Sequence, residues 1–240
     1  MPINPLNLPG ALRLHAPAFE PHPALAAELD VVFADAHLLV LSKPSGLLSV
    51  PGRGEDKQDC LSRRAQARYP DALIVHRLDM ATSGLLLMAR SPALQRSLSQ
   101  LFEGREVHKR YTAVVEGQLQ PAASPDGWGL IDLPIAVDWP RRPLRIIDAV
   151  LGKSSQTRWR ALDFDAAAHS TRVELEPLTG RSHQLRVHLQ ALGHPMLGDA
   201  LYAPEAVQAK APRLLLHACA LGFVHPATGE ALAFDSPADF

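Results

Sequence analysis

Apolar and polar positions along the first part of the chain follow the short periods of strands and helices. Two apolar runs, 29–34 and 37–41, are separated by the turn-prone Ala34-Asp35-Ala36, which predicts a β-hairpin. A helix is predicted over 59–69, because its apolar spacing stops at Pro70. The pattern therefore starts as a hairpin followed by a helix.

The next stretch predicts a strand at 72–75, a loop, a second strand at 85–89 and then a helix. Ser91 is a residue type that caps helices, Pro92 suits the first helical position, and Gly104 suits the end. The apolar stripe of this helix consists of Leu94, Leu98, Leu101 and Phe102.

The second half of the chain is rich in β-branched or alternating segments. They predict strands at 111–115, 130–136, 156–162, 171–178 and 214–217. Ser182 is predicted to cap a helix whose apolar positions are Leu185, Leu189 and Leu192, and Gly193 ends it. The order of elements predicts an α+β (mixed α/β) fold in which helices flank a large, mainly antiparallel sheet.

Prolines interrupt the start of the chain. They are Pro2, Pro5, Pro9, Pro17, Pro21 and Pro23. Because proline removes a backbone donor and fixes φ, we expect 1–28 to be an extension without regular structure. With 47% hydrophobic residues, the remainder, 29–240, is long enough to form one domain with its own core.

Charge is unevenly distributed although the net charge is only -1. The stretch 57–213 carries 21 Lys and Arg against 16 Asp and Glu. The two ends together carry 3 basic and 9 acidic residues. Of the 24 basic residues 19 are Arg, which suits bidentate phosphate contacts and stacking on bases. Basic residues on solvated helix faces would give the same count, so charge alone does not decide between a nucleic-acid-binding surface and ordinary solvated helices.

Cysteine content and the chain start bear on location. Cys60 and Cys219 are too few for a disulfide scaffold and are not spaced as a zinc pair, which indicates a reducing compartment. The start lacks the pattern of a signal peptide, and no apolar run is long enough to span a membrane. We expect a soluble, cytoplasmic protein with no membrane partner.

One carboxylate is a candidate for chemistry. Asp79 lies in a loop between two apolar strands, two residues after Arg77 and shortly before Thr82-Ser83-Gly84. A carboxylate at the end of a buried strand is well placed for catalysis, but Asp in such a loop more often is a turn or cap residue. Taken alone, the segment favours the turn.

The segment around Asp79 and four others resemble the motifs of the RluA-type pseudouridine synthases. The matching segments are 43–46 (KPSG), 75–84 (VHRLDMATSG), 109–111 (KRY), 179–188 (TGRSHQLRVH) with 193–195 (GHP) and 198–199 (GD), and 213–218 (RLLLHA). Together they cover essentially the whole chain from residue 29. Within the family, 46–53 (GLLSVPGR), Met80-Ala81 and the lack of an S4-type domain before the catalytic one resemble the dual-specificity members acting on tRNA and 23S rRNA.

The resemblance implies an isomerase that needs no cofactor. The N1–C1′ bond of a uridine breaks, the uracil turns, and C5 joins C1′, so the base must first leave its stack. Arg77 would enter the RNA in place of that base. Asp79 would attack C1′, add at C6 or remove a 2′ proton, and the sequence does not choose among these routes.

Two further catalytic residues are implied by the same resemblance. Arg186 would pair with Asp79, and Tyr111 would lie against the flipped uracil, where a phenol can take part in removing the C5 proton. Without the family, Tyr111 would be a core residue of a strand and Arg186 a solvated helix arginine. A helix start disfavours a cation, which mildly favours a function for Arg186.

Weaker correspondences complete the predicted site. His76, Lys109, Arg181 and His183 would contact the RNA, and Leu216 would form an apolar wall of the uracil pocket. The expected partner is a stem-loop of tRNA, 23S rRNA or both, bound by a monomer.

Other classes of protein fit the residues less well. Helical zinc ligands are four residues apart, whereas His183 and His188 are five apart, so no metal is expected. A glycosidase or nucleosidase would also attack an anomeric carbon, but glycosidases normally need two facing carboxylates, and Asp199 is interpreted as a turn residue. Intact Asp79, Tyr111 and Arg186 count against a catalytically silent RNA-binding protein.

Overall fold

The computed structural model describes residues 4–7, 12–15 and 29–240. In chain order the elements are β1 (Leu12–His15), β2 (Asp30–Ala34), β3 (Leu38–Lys43), α1 (Leu61–Arg68), β4 (Leu73–Ile74), β5 (Ser83–Ala89), α2 (Pro92–Glu103), β6 (His108–Glu116), β7 (Gly129–Asp132), β8 (Ile135–Val137), β9 (Arg145–Ile147), β10 (Gln156–Asp165), β11 (Ser170–Pro177), α3 (Gln184–Ala191), α4 (Glu205–Gln208), β12 (Leu216–Val224) and β13 (Ala231–Asp235), with 3-10 helices at Pro5–Asn7 and Glu55–Lys57.

The chain groups into two compact units. The first contains the described residues up to Lys109 together with Ala218–Phe240, and the second is Arg110–His217.

The predicted α+β class with a mainly antiparallel sheet and flanking helices is confirmed. That 29–240 acts as a single catalytic domain remains a prediction. None of the described helices combines the length and apolarity needed to cross a membrane.

The first unit is built around β3 and β5. In both strands nearly every side chain is buried, because their apolar runs are continuous instead of alternating. β2 pairs antiparallel with β3, and β3 with β5, which confirms the predicted hairpin. Helix α2 contributes Leu98 to a core that also contains Phe223 and Phe234.

Helix α2 begins and ends where the sequence predicted. The Ser91 hydroxyl accepts the N–H of Leu94 at 3.2 Å, and proline occupies the first helical turn. The backbone of Gly104 is in the right-handed helical conformation, whereas that of Arg105 is left-handed, with φ of 61°. The N–H of Gly104 donates to Gln100 O at 2.7 Å, so this glycine is the predicted C-cap, and the N–H of Glu106 donates to Leu101 O at 2.8 Å.

The proline-rich start contains regular structure, which corrects the prediction for 1–28. β1 pairs in parallel with β13, from Leu12 opposite Leu232 to His15 opposite Asp235. No proline lies between Pro9 and Pro17, and four residues suffice for a strand when a partner edge is available. Leu6 is buried against Ala220 and Ala233 of the same unit.

The second unit carries the antiparallel strand order β6-β11-β10-β7. The strand predicted over 130–136 is divided into β7 and β8, and β8 pairs with β9 in a separate two-stranded sheet. Pro134 lies at the break, since proline cannot donate to a ladder. β9 and β13 were not predicted, and the strand predicted over 214–217 is the start of the longer β12.

Candidate active site

The loop that carries Asp79 joins β4 to β5 and is fastened to the loop after β3. The N–H of Gly46, with φ of 85°, donates to Met80 O at 2.8 Å. The hydroxyl of Ser45 donates to Ala81 O at 2.7 Å. The KPSG segment therefore holds the backbone on the C-terminal side of Asp79.

Ser49 holds the other side of the same loop. Its buried hydroxyl accepts the N–H of Leu78 at 3.1 Å and donates to Leu78 O at 2.7 Å. The backbone of Asp79 also closes a turn, because its carbonyl accepts the N–H of Thr82 at 3.1 Å. Asp79 thus lies in a turn, as its residue type suggested, and that turn is fixed at both ends.

Lys43, the last residue of β3, places a positive charge beside the Asp79 loop. The side chain is 1% exposed, and its ammonium donates to the carbonyl oxygens of Pro44 at 2.8 Å, Leu47 at 2.7 Å and Met80 at 3.0 Å. Burial lowers the pKa of Lys43 to about 7, while the charge of Asp79 acts in the opposite direction. The carboxylate and the ammonium therefore attract each other.

The two residues before Leu78 face different surroundings. Nε2 of His76 accepts the N–H of Leu87 at 2.9 Å, and its ring stacks on Phe102 with centroids 4.5 Å apart. Burial, together with the charge of Lys109, lowers the pKa of His76 to about 3, so the ring is neutral. Arg77 is exposed. RNA contact by His76 remains a prediction and would have to involve its Nδ1 side.

Gly84 explains why the segment after Asp79 ends in glycine. Its φ is 109°, and a Cβ there would lie 2.4 Å from Ala218 O. Only glycine adopts this conformation readily and leaves room for β12. The close approach fixes where β5 begins, and with it the end of the Asp79 loop.

In the second unit Arg186 has a carboxylate partner that the sequence did not predict. Nε donates to Oδ2 of Asp199 at 2.8 Å and Nη2 to Oδ1 at 2.5 Å, and both side chains are buried. Oδ1 also accepts the N–H groups of Leu201 and Tyr202. Asp199 is therefore the expected turn residue and also the anchor that orients Arg186. The pairing of Arg186 with Asp79 stays a prediction.

Tyr202 connects Arg186 to the start of α3. The Arg186 guanidinium lies 5.0 Å from the ring centroid, and the phenol oxygen accepts the N–H of Arg145 at 2.9 Å. Nδ1 of His183 is 2.6 Å from the same oxygen. Burial raises the pKa of Tyr202 to about 12. The phenol therefore keeps its proton and can donate it to His183.

Helix α3 begins differently from the prediction that Ser182 caps it. The N-cap is His183, in the left-handed conformation with φ of 58° and without a side-chain cap bond, and Ser182 is exposed. The side chain of Gln184 instead binds the loop that precedes the helix. Its Oε1 accepts the N–H of Arg181 at 3.0 Å and the hydroxyl of Thr179 at 2.8 Å.

The remaining predicted site residues lie in strands and an exposed loop of the second unit. Tyr111 is half-buried in β6, opposite Leu175, and Leu216 is buried at the start of β12. Arg181 is exposed, with Nε 3.3 Å from Ser154 O. Within the units the structure thus brings Lys43 to Asp79, and His183 to Arg186 through Tyr202. The arrangement of Tyr111 and Leu216 around Asp79 remains a prediction.

Sequence interpretation missed the roles of Lys43, Asp199 and Tyr202. Lys43 was recognised within a motif but was given no function, because lysine is seldom buried and the run LLVLSK does not show that its last side chain is. Nothing local distinguishes Asp199 or Tyr202, because their partners lie in α3 and β9. Among 4–7, 12–15 and 29–240, no group of three or more His, Cys, Asp or Glu is arranged to hold a metal ion.

Comparison with known proteins places these residues in a family. The family model described as RNA pseudouridylate synthase matches residues 37–191. The matched range contains Lys43, Asp79, Tyr111 and Arg186 and ends before Asp199.

Individual relatives are similar over nearly the whole chain. The dual-specificity RNA pseudouridine synthase RluA of Escherichia coli (strain K12) is 50% identical over 212 residues, which cover 88% of this chain and 94% of the relative. The RluA of Haemophilus influenzae is 44% identical over 221 residues, covering 92% and 98%. The solved structure of human RNA pseudouridylate synthase domain containing 1 has 30% identity and a TM-score of 0.75, covering 91% and 87%.

Proposed function

The chain belongs to the RNA pseudouridylate synthase family, and from that premise we propose that it isomerises uridines in stem-loops of tRNA and 23S rRNA with Asp79 as its catalytic carboxylate. As an RNA pseudouridine synthase it is an isomerase. The relatives from E. coli and H. influenzae are named as dual-specificity enzymes, and the segments 46–53 and 80–81 resemble that branch. These two observations support the choice of two RNA classes.

The observation that carries the role of Asp79 is the way its loop is held. Hydrogen bonds from Ser45 and Gly46 on one side, and from Ser49 on the other, fix the backbone around it. The buried ammonium of Lys43 is directed at the same loop. A carboxylate held in one position before substrate arrives loses little freedom on reaching the reacting atom, which is a large part of catalysis.

Arg77 and Asp79 have complementary tasks in this proposal. Arg77 is exposed, next to a fixed loop, so its side chain can enter the RNA stack while the backbone stays in place. Filling the gap left by a flipped base offsets part of the unstacking cost, which is a few kcal/mol. Asp79 then acts on the extruded nucleotide at C1′, at C6 or at a 2′ proton.

Arg186 is proposed to pair with Asp79. Its guanidinium is held by Asp199, and a guanidinium carries five N–H donors, more than one carboxylate can take. A second carboxylate can therefore share the same cation. Tyr111 is proposed to stack on the uracil and to assist in removing the C5 proton, and His76, Lys109, Arg181, His183 and Leu216 are proposed to contact the RNA.

We further propose that the protein works as a monomer in the cytoplasm, without metal or cofactor. Isomerisation has no net redox change and makes no net use of water, so side chains and the substrate's own atoms suffice. The basic stretch 57–213 supplies phosphate contacts.

Pseudouridine mapping in total RNA tests the proposed substrates. A strain that lacks this protein should lose specific pseudouridines in a tRNA and in 23S rRNA, and the wild-type gene should restore them. Loss and restoration of pseudouridines in only one of the two RNA classes would refute dual specificity. A pseudouridine map that is unchanged in the strain lacking the protein would refute both proposed targets.

A further inference from the structure

The β8–β9 hairpin of the second unit ends in a compact, exposed turn, residues 138–144, which we call the hairpin tip. The N–H of Asp138 donates to Leu144 O at 3.1 Å, and the N–H of Leu144 donates to Arg141 O at 3.0 Å. Pro140 and Pro143 remove backbone freedom within the turn. The tip therefore presents its side chains from a fixed backbone.

The tip presents an aromatic ring and positive charge to solvent. Trp139 is 66% exposed, and the guanidinium of Arg142 lies 4.6 Å from its ring centroid. Arg141 is exposed as well, and its guanidinium pairs with Asp138 at 2.7 Å. Because Asp138 is buried and is the one acidic residue in 138–144, the exposed part of the tip is positively charged.

The other two tryptophans of the chain are placed differently. Trp128 and Trp159 are half-buried, and three guanidinium groups lie 4.8–5.8 Å from the centroid of Trp128. Packing explains both of these residues, whereas it does not explain Trp139. An exposed tryptophan beside arginine has the composition of a surface that stacks on nucleobases.

The tip is connected to residues already predicted to contact RNA. Leu144 and Ile147 pack on the cluster of Ile135, Val187 and Tyr202. The N–H of Arg145 donates to the Tyr202 oxygen, and the same oxygen contacts His183 at the start of α3. The hairpin and the start of α3 therefore form one continuous part of the second unit.

We propose that the hairpin tip is an RNA-binding element, in which Trp139 stacks on an unpaired base of the substrate loop and Arg142 contacts a phosphate. This proposal rests on the proposed function, because it concerns the same RNA. Stacking is available to a base in a loop and not to one inside a duplex, so the element favours loops over paired stems. A protein partner is disfavoured by the charge of the tip.

Filter binding with a stem-loop transcript tests the element. To avoid turnover, every variant is made in the Asp79→Asn background. Trp139→Ala should raise Kd about tenfold, whereas Trp139→Phe, which keeps a ring, should stay within about threefold of the parent. Arg142→Ala should lower the slope of log Kd against log salt by about 1. Leu130→Ala is the matched control, since Leu130 is 57% exposed in β7 of the same unit.

Each outcome decides the proposal. Loss of affinity in Trp139→Ala with an unchanged melting temperature, and no loss in Leu130→Ala, supports it. Equal affinity of all variants, or a change of oligomeric state in Trp139→Ala without a change in RNA affinity, overturns it. Isomerisation by the protein with Asp79 intact is measured alongside. If that protein turns over uridine and Trp139→Ala binds normally, the hairpin proposal fails while the proposed function stands.

Discussion

The ammonium of Lys43 lies 3.0 Å from the carbonyl oxygen of Met80, the residue that follows Asp79. This contact joins two motifs that are far apart in the sequence, and it gives the first of them a physical role. Lys43 ends a buried strand, and its ammonium donates to backbone oxygens of the two loops and is attracted to Asp79. The position of the Asp79 loop therefore depends on a side chain at the end of β3.

Replacing Lys43 tests that dependence. Lys43→Met removes three hydrogen bonds made by a buried ammonium, so we expect a loss of about 2 kcal/mol in the free energy of unfolding. The single-turnover isomerisation rate should fall at least about tenfold, because a displaced Asp79 reacts more slowly. Urea denaturation and rapid quench measure the two effects. Lys57→Met, which replaces an exposed lysine, is the control. If Lys43→Met had the same stability and the same isomerisation rate as Lys57→Met, the role of Lys43 would be contradicted.

His76 predicts a specific loss of stability in acid. Its pKa is about 3 in the folded protein and close to 6.5 when unfolded, so the unfolded chain binds more protons between these values. The contribution of His76 to the free energy of unfolding is complete above pH 6.5 and is lost as the pH falls toward 3. His76→Phe keeps a ring against Phe102 but cannot titrate. The stability difference, wild type minus variant, should fall by up to about 1.4 kcal/mol per pH unit below 6.5. A stability difference that does not change with pH would contradict the lowered pKa of His76.

Asp199→Asn tests whether Arg186 must be held in place. The amide oxygen can still accept the N–H groups of Leu201 and Tyr202, but Arg186 loses its carboxylate partner. Removing one member of a buried ion pair costs about 3 kcal/mol in stability. We also expect kcat to fall more than KM rises, because Arg186 is proposed to act on Asp79. Asp163→Asn, at an exposed carboxylate in β10, is the control. An Asp199→Asn protein that is destabilised but has wild-type kcat would limit Arg186 to a structural role.

The sequence predicted the elements whose signals are local. The Asp35 turn is confirmed, because its carboxylate accepts the N–H groups of His37 and Leu38 two and three residues later. The start of α2 is confirmed for the same reason, since Ser91 caps Leu94. β1 was missed because its stability comes from β13, more than 200 residues away in the chain, and no local pattern records that edge.

For the candidate site too, contacts between residues far apart in the chain were not predicted. Asp79, Arg77 and Arg186 were predicted as site residues because the resemblance names them, while local chemistry alone favoured a turn for Asp79. The partners that fix them, Lys43 and Asp199, were not found, because their hydrogen bonds join residues that only the fold brings together. The predicted cap at Ser182 was wrong because His183, in the left-handed conformation, precedes α3 as its N-cap, and Gln184 binds the loop before the helix.

The most direct test of the account is tritium release from C5-labelled uridine in tRNA and 23S rRNA transcripts, measured for the wild type and for Asp79→Asn with RNA binding checked on filters. We predict that the wild type releases tritium from both RNAs, and that Asp79→Asn binds them with wild-type affinity and releases none. Release by Asp79→Asn at a rate near that of the wild type would contradict the assignment of Asp79 as the catalytic carboxylate.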